Sequence, residues 1–203
     1  MNRNPVEHSV LDAIANRWSP YRFEPREVED EKLLQCLEAA RWAASSFNDQ
    51  PWSWVIARRQ DTVAFEKTIG CLLEANQGWA SNAGALILTA IRTKFAYNQK
   101  PNRVALHDLG QAACQMSLQA AALGLQVHQM AGVNLSRVRS EFGIPDEFEP
   151  QTAIAIGYPD SSEPKPDSDD AKLHQRDTGS RQRNPLSEQV FTSAWGQKAD
   201  FVD

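Results

Sequence analysis

Three short stretches of this chain concentrate side chains able to do chemistry. The first is Ala43-Ala44-Ser45-Ser46-Phe47-Asn48-Asp49-Gln50-Pro51-Trp52. Its small leading residues let a backbone approach a ligand closely, and Ser45, Asn48 and Gln50 supply neutral donors and acceptors. The same residues also read as a helix end running through a polar turn into a strand, with Pro51 as the stop. The second stretch is Asn16-Arg17-Trp18-Ser19-Pro20-Tyr21-Arg22-Phe23. A guanidinium is a planar fork of donors that suits phosphate oxygens, and Ser19 can add a hydroxyl. A solvated loop whose arginines pair with nearby carboxylates has the same composition. The third, Leu125-Gln126-Val127-His128-Gln129-Met130-Ala131-Gly132, mixes donors with a polarizable methionine, and a lone histidine there reads first as packing.

The elements that must position these stretches follow from hydrophobic periodicity. Val6, Val10, Leu11 and Ile14 recur at helical spacing and predict a first amphipathic helix. A second runs from Val28 through Leu33, Leu34, Leu37, Ala40 and Ala44, its first turn favoured by Glu29, Asp30 and Glu31. Ser53–Ala57 reads as a strand. Val63, Phe65, Ile69, Leu72 and Leu73 predict a third helix from Asp61, closed by Asn76-Gln77-Gly78-Trp79. Residues 85–91 form a near-continuous apolar run, the pattern of a strand covered on both faces. Residues 101–123 form the longest helical pattern, apolar nearly all round and therefore buried in a core or an interface. His107 on it is read as a satisfied structural histidine, and Gly124 as its C-terminal cap. A short helix over 135–142 and an apolar strand over 152–157 follow. From Tyr158 the chain turns rich in Pro, Asp, Ser and Lys, which predicts an exposed arm over about 158–203. That arm ends in a strand-like segment, Gln189–Thr192, in need of a docking edge. The expected architecture is a single domain over 1–203 of the α+β class, an α/β sandwich: a small mixed sheet flanked by helices, with a long central helix.

Composition narrows the function classes. With 203 residues and 41% hydrophobic content, one well-filled core is expected. A formal charge of -5 without a basic run argues against nucleic acid as a partner. No apolar run is long enough to span a bilayer, and Pro5, Glu7 and His8 stand where a secretory signal needs apolar residues, so the expected location is the cytoplasm. Cys36, Cys71 and Cys114 are far apart and form no CxxC pair, so neither a metal site nor a disulfide framework is indicated, and each reads as a small core residue. The glycine-rich dinucleotide and P-loop signatures are absent.

Taken together, the motifs resemble the FMN-dependent nitroreductase family. The family pattern is an N-terminal Arg-x-Ser-x-x-Arg, met here by Arg17 to Arg22, then a small-Ser-x-x-Asn-x-Gln-Pro-Trp turn, met by Ala44 to Trp52. Gly124-Leu125-Gln126-Val127-His128, Gly157-Tyr158-Pro159 and Arg183-Asn184-Pro185-Leu186 match the remaining three motifs in order. The match runs from about residue 10 to about residue 196. The resemblance implies that Arg17, Ser19 and Arg183 bind the FMN phosphate, with Trp18 adding backbone or stacking contacts. It implies that Ser45, Asn48 and Gln50 lie by the ribityl chain and the pyrimidine edge. Val127, His128 and Gln129, and more weakly Asn76, would line the flavin. No side chain is required as acid or nucleophile, and His128 is at most a modulator of proton delivery. The implied activity is hydride transfer from NAD(P)H through FMN to nitroaromatic, quinone or similar flat acceptors, in a ping-pong cycle, by a homodimer holding FMN between its subunits. A flavin-consuming or dehalogenating relative and a non-enzymatic FMN-binding protein are the alternatives on the same scaffold. Three departures stand out. Asn184 replaces a usual lysine, Gly84 falls where many relatives have proline, and the Asp-rich stretch around Asp167 to Asp170 has no counterpart.

Overall fold

The structure is a computed structural model that describes residues 3–202. Its elements are α1 (Asp12–Asn16), α2 (Asp30–Arg41), β1 (Trp52–Arg58), α3 (Thr62–Cys71), α4 (Glu74–Ala80), β2 (Ala85–Arg92), α5 (Ala105–Ala122), β3 (Gln126–Met130), α6 (Leu135–Phe142), β4 (Phe148–Gly157) and α7 (Asp169–Thr178). The four strands lie in the order β1-β2-β4-β3. Alternation along the strands divides the core in two. Ala85, Ile87, Val127, Ile154 and Ile156 face α2 and α5, whereas Leu86, Leu88, Met130, Ala153 and Ala155 face Phe65, Cys71, Trp79, Ala80 and Val138 on α3, α4 and α6. β2 is apolar almost throughout because helices cover both of its faces. The α+β sandwich is therefore as expected. Every pairing in the sheet is antiparallel, however, where a mixed sheet was anticipated. The connection through α3–α4 returns the chain to the end of the sheet it left, whereas the one through α5 crosses to the opposite end, so β3 runs in the same direction as β2 with β4 between them. A register shift between Leu88 and Ala90 is compensated by Thr89, whose Oγ1 accepts the Thr152 N–H at 3.0 Å.

Other expectations needed correction. The first helix is only Asp12–Asn16, and Asn4 folds back over its C-terminal end, its Nδ2 donating to the carbonyls of Ile14 and Arg17. Val6, Val10 and Ile14 are left exposed. The third helical pattern is two helices, broken where Leu72 bridges to Val133. The arm is not all irregular. Ser168 Oγ caps α7 by accepting the Ala171 N–H, and Asp169 and Asp170 occupy its first turn. Gln189–Thr192 forms no sheet strand; it follows a single 3-10 turn at Leu186–Glu188, and Phe191 makes an isolated bridge to Lys198. Cys36 and Cys71 are buried, and desolvation pushes the Cys36 thiol up to about 11, but Cys114 is exposed. His107 is exposed too, on the outer face of α5, whereas its neighbour Asp108 is buried and accepts the Ser46 N–H.

Candidate active site

The cation-rich end of the site is assembled from both ends of the chain. Arg17, at the C-terminal end of α1, and Arg181 and Arg183, beyond α7, line one cavity of about 730 Å³ together with Val6, Glu7, Val10, Ile14 and Leu186. Burial lowers the Arg181 pKa, and the guanidiniums of Arg17 and Arg183 lower it further, against a pull upward from Asp177. Three guanidiniums on one cavity can together hold an anion such as a phosphate. Ser19 is exposed two residues on from Arg17, and it is not among the side chains lining that cavity. Trp18 plays a supporting part. Its N–H is taken by Gln126 Oε1 at 3.0 Å, and its buried ring lies under the guanidiniums of Arg3, 3.3 Å away, and Arg181, 5.2 Å away. Arg3 and Arg181 were missed by sequence reasoning. Arg181 stood two residues before the Arg183 motif, and its basic type was the available signal.

α7 fixes this cluster. Asp177 is buried, and its two carboxylate oxygens accept the N–H groups of Tyr21 and Arg22 at 2.9 and 3.0 Å. Arg3 Nη2 donates to the Asp177 carbonyl at 2.6 Å. The Arg22 guanidinium, 3% exposed, donates to Asp170, Asp160, Ser162 and His174. The cap Ser168 followed by two aspartates was the sequence signal for this helix, hidden within a polar stretch.

Along the β3 edge the expected residues have distinct environments. His128 Nδ1 lies 2.8 Å from the Pro20 carbonyl, which can only accept, so Nδ1 carries the proton and Nε2 the lone pair. Its ring lies 4.7 Å from Tyr21 and 4.5 Å from Trp79, and burial pushes its pKa down. The imidazole is held neutral. Asn76 donates to the Gly132 carbonyl and accepts from Trp79 Nε1, so its amide ties α4 to the end of β3. Val127, 2% exposed, packs in the core against the α2–α5 layer, so its side chain lines no cavity. Gln129 is exposed at the edge.

The turn Ser45–Gln50 is bent tightly. Phe47, Asn48 and Gln50 all have φ near +50°, a region costly for residues other than glycine. Ser45 Oγ accepts the Gln50 N–H at 3.0 Å, and Gln50 Nε2 donates to the Asn48 carbonyl at 3.0 Å. Asp49 is turned inward, its side chain 2% exposed, and accepts from Arg92 and from the Ala96 N–H.

These two halves lie at opposite corners of the chain. The Gln126 end of β3 is level, through Gly157 and Ala85, with the Arg58 end of β1, whereas Gln50 precedes Trp52 at the other end of β1. The corners are offset by ~14 Å across the sheet and ~20 Å along it. One chain thus brings Arg17, Trp18, Asn76, His128, Gln129 and Arg183 toward the β3 edge and leaves Ser45, Asn48 and Gln50 apart from them.

Comparisons with known proteins bear on the fold and the family. Over its whole length the chain is similar to a solved structure described as an oxidoreductase containing FMN: 31% identical, covering 98% of both chains, with a TM-score of 0.87. It is 25% identical to an FMN-dependent nitroreductase from Clostridium difficile R20291, covering 79% of this chain and 92% of that one at a TM-score of 0.62. A 15.4 kDa protein of Mycolicibacterium smegmatis with no assigned activity is 31% identical over 129 residues, 64% of this chain and 83% of its own. Residues 14–158 match the model of the nitroreductase family. That span holds the N-terminal arginine motif, the Ser45–Gln50 turn and the whole sheet, and the chain belongs to the nitroreductase family of oxidoreductases.

Proposed function

We infer that the protein is an FMN-dependent oxidoreductase that takes hydride from NAD(P)H and passes it to flat acceptors such as nitroaromatics and quinones. The observation that carries this reading is the convergence of Arg17, Arg181 and Arg183 on one cavity beside the β3 edge. Their charge suits a phosphate dianion, and Ser19 is near enough in the chain to add a hydroxyl from the rim. Asn184 stands in place of the usual lysine, and Arg181 compensates for the lost charge. FMN, when bound, supplies the hydride chemistry, and the protein's task is orientation and hydrogen bonding. His128 faces this edge as a neutral ring, so it can accept a hydrogen bond at Nε2 without adding charge.

The separation of the two halves supports a homodimer with FMN between the subunits. In that arrangement the partner's turn, with its Ser45, Asn48 and Gln50 equivalents, approaches the arginine end of this chain. Exposed Leu34 and Trp42 on and beside α2, Leu106 on α5, and Trp195 and Phe201 in the arm are the apolar surface such a dimer would cover. Among the described residues no helix is long and apolar enough to cross a membrane. The nicotinamide and the acceptor would share one open face in turn, which is a ping-pong cycle, because the sequence carries no dinucleotide fingerprint.

The test has two parts. The purified protein should carry, or take up, one FMN per chain, seen in its absorption spectrum. Initial rates with NADH or NADPH against menadione should give parallel double-reciprocal lines. Protein that stays colourless after incubation with FMN refutes the reading, and converging lines refute the shared face.

A further inference from the structure

The Ser45–Gln50 turn carries a feature that flavin binding does not require. Phe47 sits at φ +54°, where glycine or asparagine is ordinarily favoured, and its ring is 77% exposed. Strain and an exposed aromatic side chain are both unfavourable, so the turn alone gives no reason for phenylalanine. Its ring is held by two others from the loop after β2. Phe95 meets it edge-on at 5.8 Å, Tyr97 lies 5.5 Å from it, and Phe95 and Tyr97 are 5.5 Å apart. Tyr97 is 60% exposed.

The loop bearing Phe95 and Tyr97 is built rigidly. Lys94 bridges to Pro101, Phe95 N–H donates to the Lys100 carbonyl, and Gln99 N–H donates to the Phe95 carbonyl. The buried Asp49 carboxylate clamps it onto the turn by accepting the Ala96 N–H at 2.9 Å and an Arg92 N–H at 3.1 Å. A buried carboxylate is thus committed to holding three rings in one exposed array. The loop is also basic. From Thr93 to Arg103 it carries Lys94, Lys100 and Arg103 and no acidic residue, in a protein of net charge -5. All three basic side chains are exposed.

We propose that Phe47, Phe95 and Tyr97 form the acceptor-selecting platform of the enzyme, favouring flat aromatic acceptors that carry negative charge. This rests on the oxidoreductase reading above. The turn that would meet the flavin ring contains Phe47 itself, so the platform borders the face where an acceptor lands. Ring stacking supplies the preference for flat aromatics, and the Lys94–Lys100 rim supplies the preference for anions. The platform is too small to be a dimer interface by itself. Its rings bury at most roughly 150–250 Å² each, and none is fully exposed, whereas a stable interface takes about 800 Å² from each partner.

The experiment compares acceptors within each variant, using FMN-loaded protein and NADH. The acceptors are 1,2-naphthoquinone-4-sulfonate, neutral 1,2-naphthoquinone, and ferricyanide as an anion without an aromatic ring. Phe47→Ala and Tyr97→Ala should each lower kcat/KM for the sulfonate at least tenfold relative to ferricyanide, mainly through KM, and Tyr97→Phe should restore it. Lys94→Gln with Lys100→Gln should lower the sulfonate at least threefold relative to neutral naphthoquinone. FMN affinity, read by flavin fluorescence, and light scattering accompany each variant. Unchanged acceptor ratios overturn the proposal, as does a variant that dissociates into monomers, which would make the rings part of a subunit interface. Wild-type protein that binds no FMN, or whose FMN is not reduced by NADH or NADPH, refutes the underlying reading instead.

Discussion

Arg22→Met tests whether α7 is the clamp that holds the arginine cluster. Methionine keeps much of the length and apolar body of the side chain and removes the guanidinium. The wild-type group is 3% exposed. Its Nε donates to Asp170 at 2.8 Å, and Nη2 donates to Asp160 at 2.8 Å and to Ser162 Oγ at 3.2 Å. Nη1 donates to the Ser162 carbonyl at 2.8 Å and to His174 Nδ1 at 3.0 Å, which makes that imidazole nitrogen the acceptor. Breaking a fully buried ion pair costs about 3–5 kcal/mol. Here the carboxylates are 25% and 50% exposed and can rehydrate, so the expected cost is about 2–3 kcal/mol. For a domain of this size that corresponds to a Tm lower by roughly 5–10 °C. The damage should concentrate where the bonds were. Amides of 160–178 should exchange faster than those of the sheet, and FMN affinity should fall although Arg22 does not line the cavity. Circular dichroism melts, hydrogen exchange by mass spectrometry and a flavin titration measure the three effects. A melt within 1 °C of wild type, or unchanged exchange over 160–178, refutes the clamp.

Two further outcomes concern the β3 edge and the sheet end. Burial depresses the His128 pKa below 6.5, so the unfolded chain binds that proton more readily. His128 therefore contributes stability that is fully present above about pH 6.5 and is lost as pH falls through its folded pKa. Urea unfolding from about pH 5 to 7.5 should show a smaller pH dependence in His128→Phe, and an identical dependence contradicts the buried neutral ring. At Gly84 an added Cβ would stand 2.6 Å from Val28 Cγ2 and 2.9 Å from the Arg26 carbonyl oxygen, while the Gly84 N–H donates to Ile156 at 3.0 Å. Gly84→Ala should cost about 1–3 kcal/mol by thermal or urea melt, and Gly84→Pro more, since it also deletes that hydrogen bond. A neutral Gly84→Ala would show that this strand end has room to shift.

The layered core was legible because its signals are periodic. β2 announced two covered faces through its unbroken apolar run, and α6 matched its expected bounds at Gly143, whose φ of +60° ends it. What failed were places where one side chain overrides a pattern. Asn4 bonds the carbonyls at the C-terminal end of α1, which holds residues before Asp12 across the helix instead of in the longer helix that periodicity extended back to Val6. Leu72 leaves α3 to bridge Val133, and the pattern cannot report that break because the apolar spacing continues through it. α7 was invisible to hydrophobicity because what fastens it is Asp177, Asp170 and Arg22 rather than an apolar stripe. The same limit applied to the site. The family resemblance marked Arg17, Arg183 and His128, whereas Arg181 and Arg3 stand out only through their three-dimensional convergence on the Trp18 ring.

The corner occupied by Ser45–Gln50 explains why its motif reads so plainly in one dimension. Left-handed φ at Phe47, Asn48 and Gln50 costs of order 1 kcal/mol or more per residue. Fixed hydrogen bonds offset that cost. Asp108 accepts the Ser46 N–H at 3.1 Å, Ser45 accepts the Gln50 N–H at 3.0 Å, and Asp49 ties the turn to Arg92 and Ala96. Each of these bonds needs a particular side chain at a particular spacing, so the turn has a strict sequence signature. Because all of them lie within one chain, the turn is formed before any flavin or partner subunit meets it. On the reading proposed above, a flavin meeting the turn would lose little to ordering it. The arginine corner is organised differently. Its cations come from both chain ends and repel one another, held by Asp177 and by the Trp18 ring. An anion at that corner relieves the repulsion, so binding and local order there should rise together, whereas the turn should change little on loading.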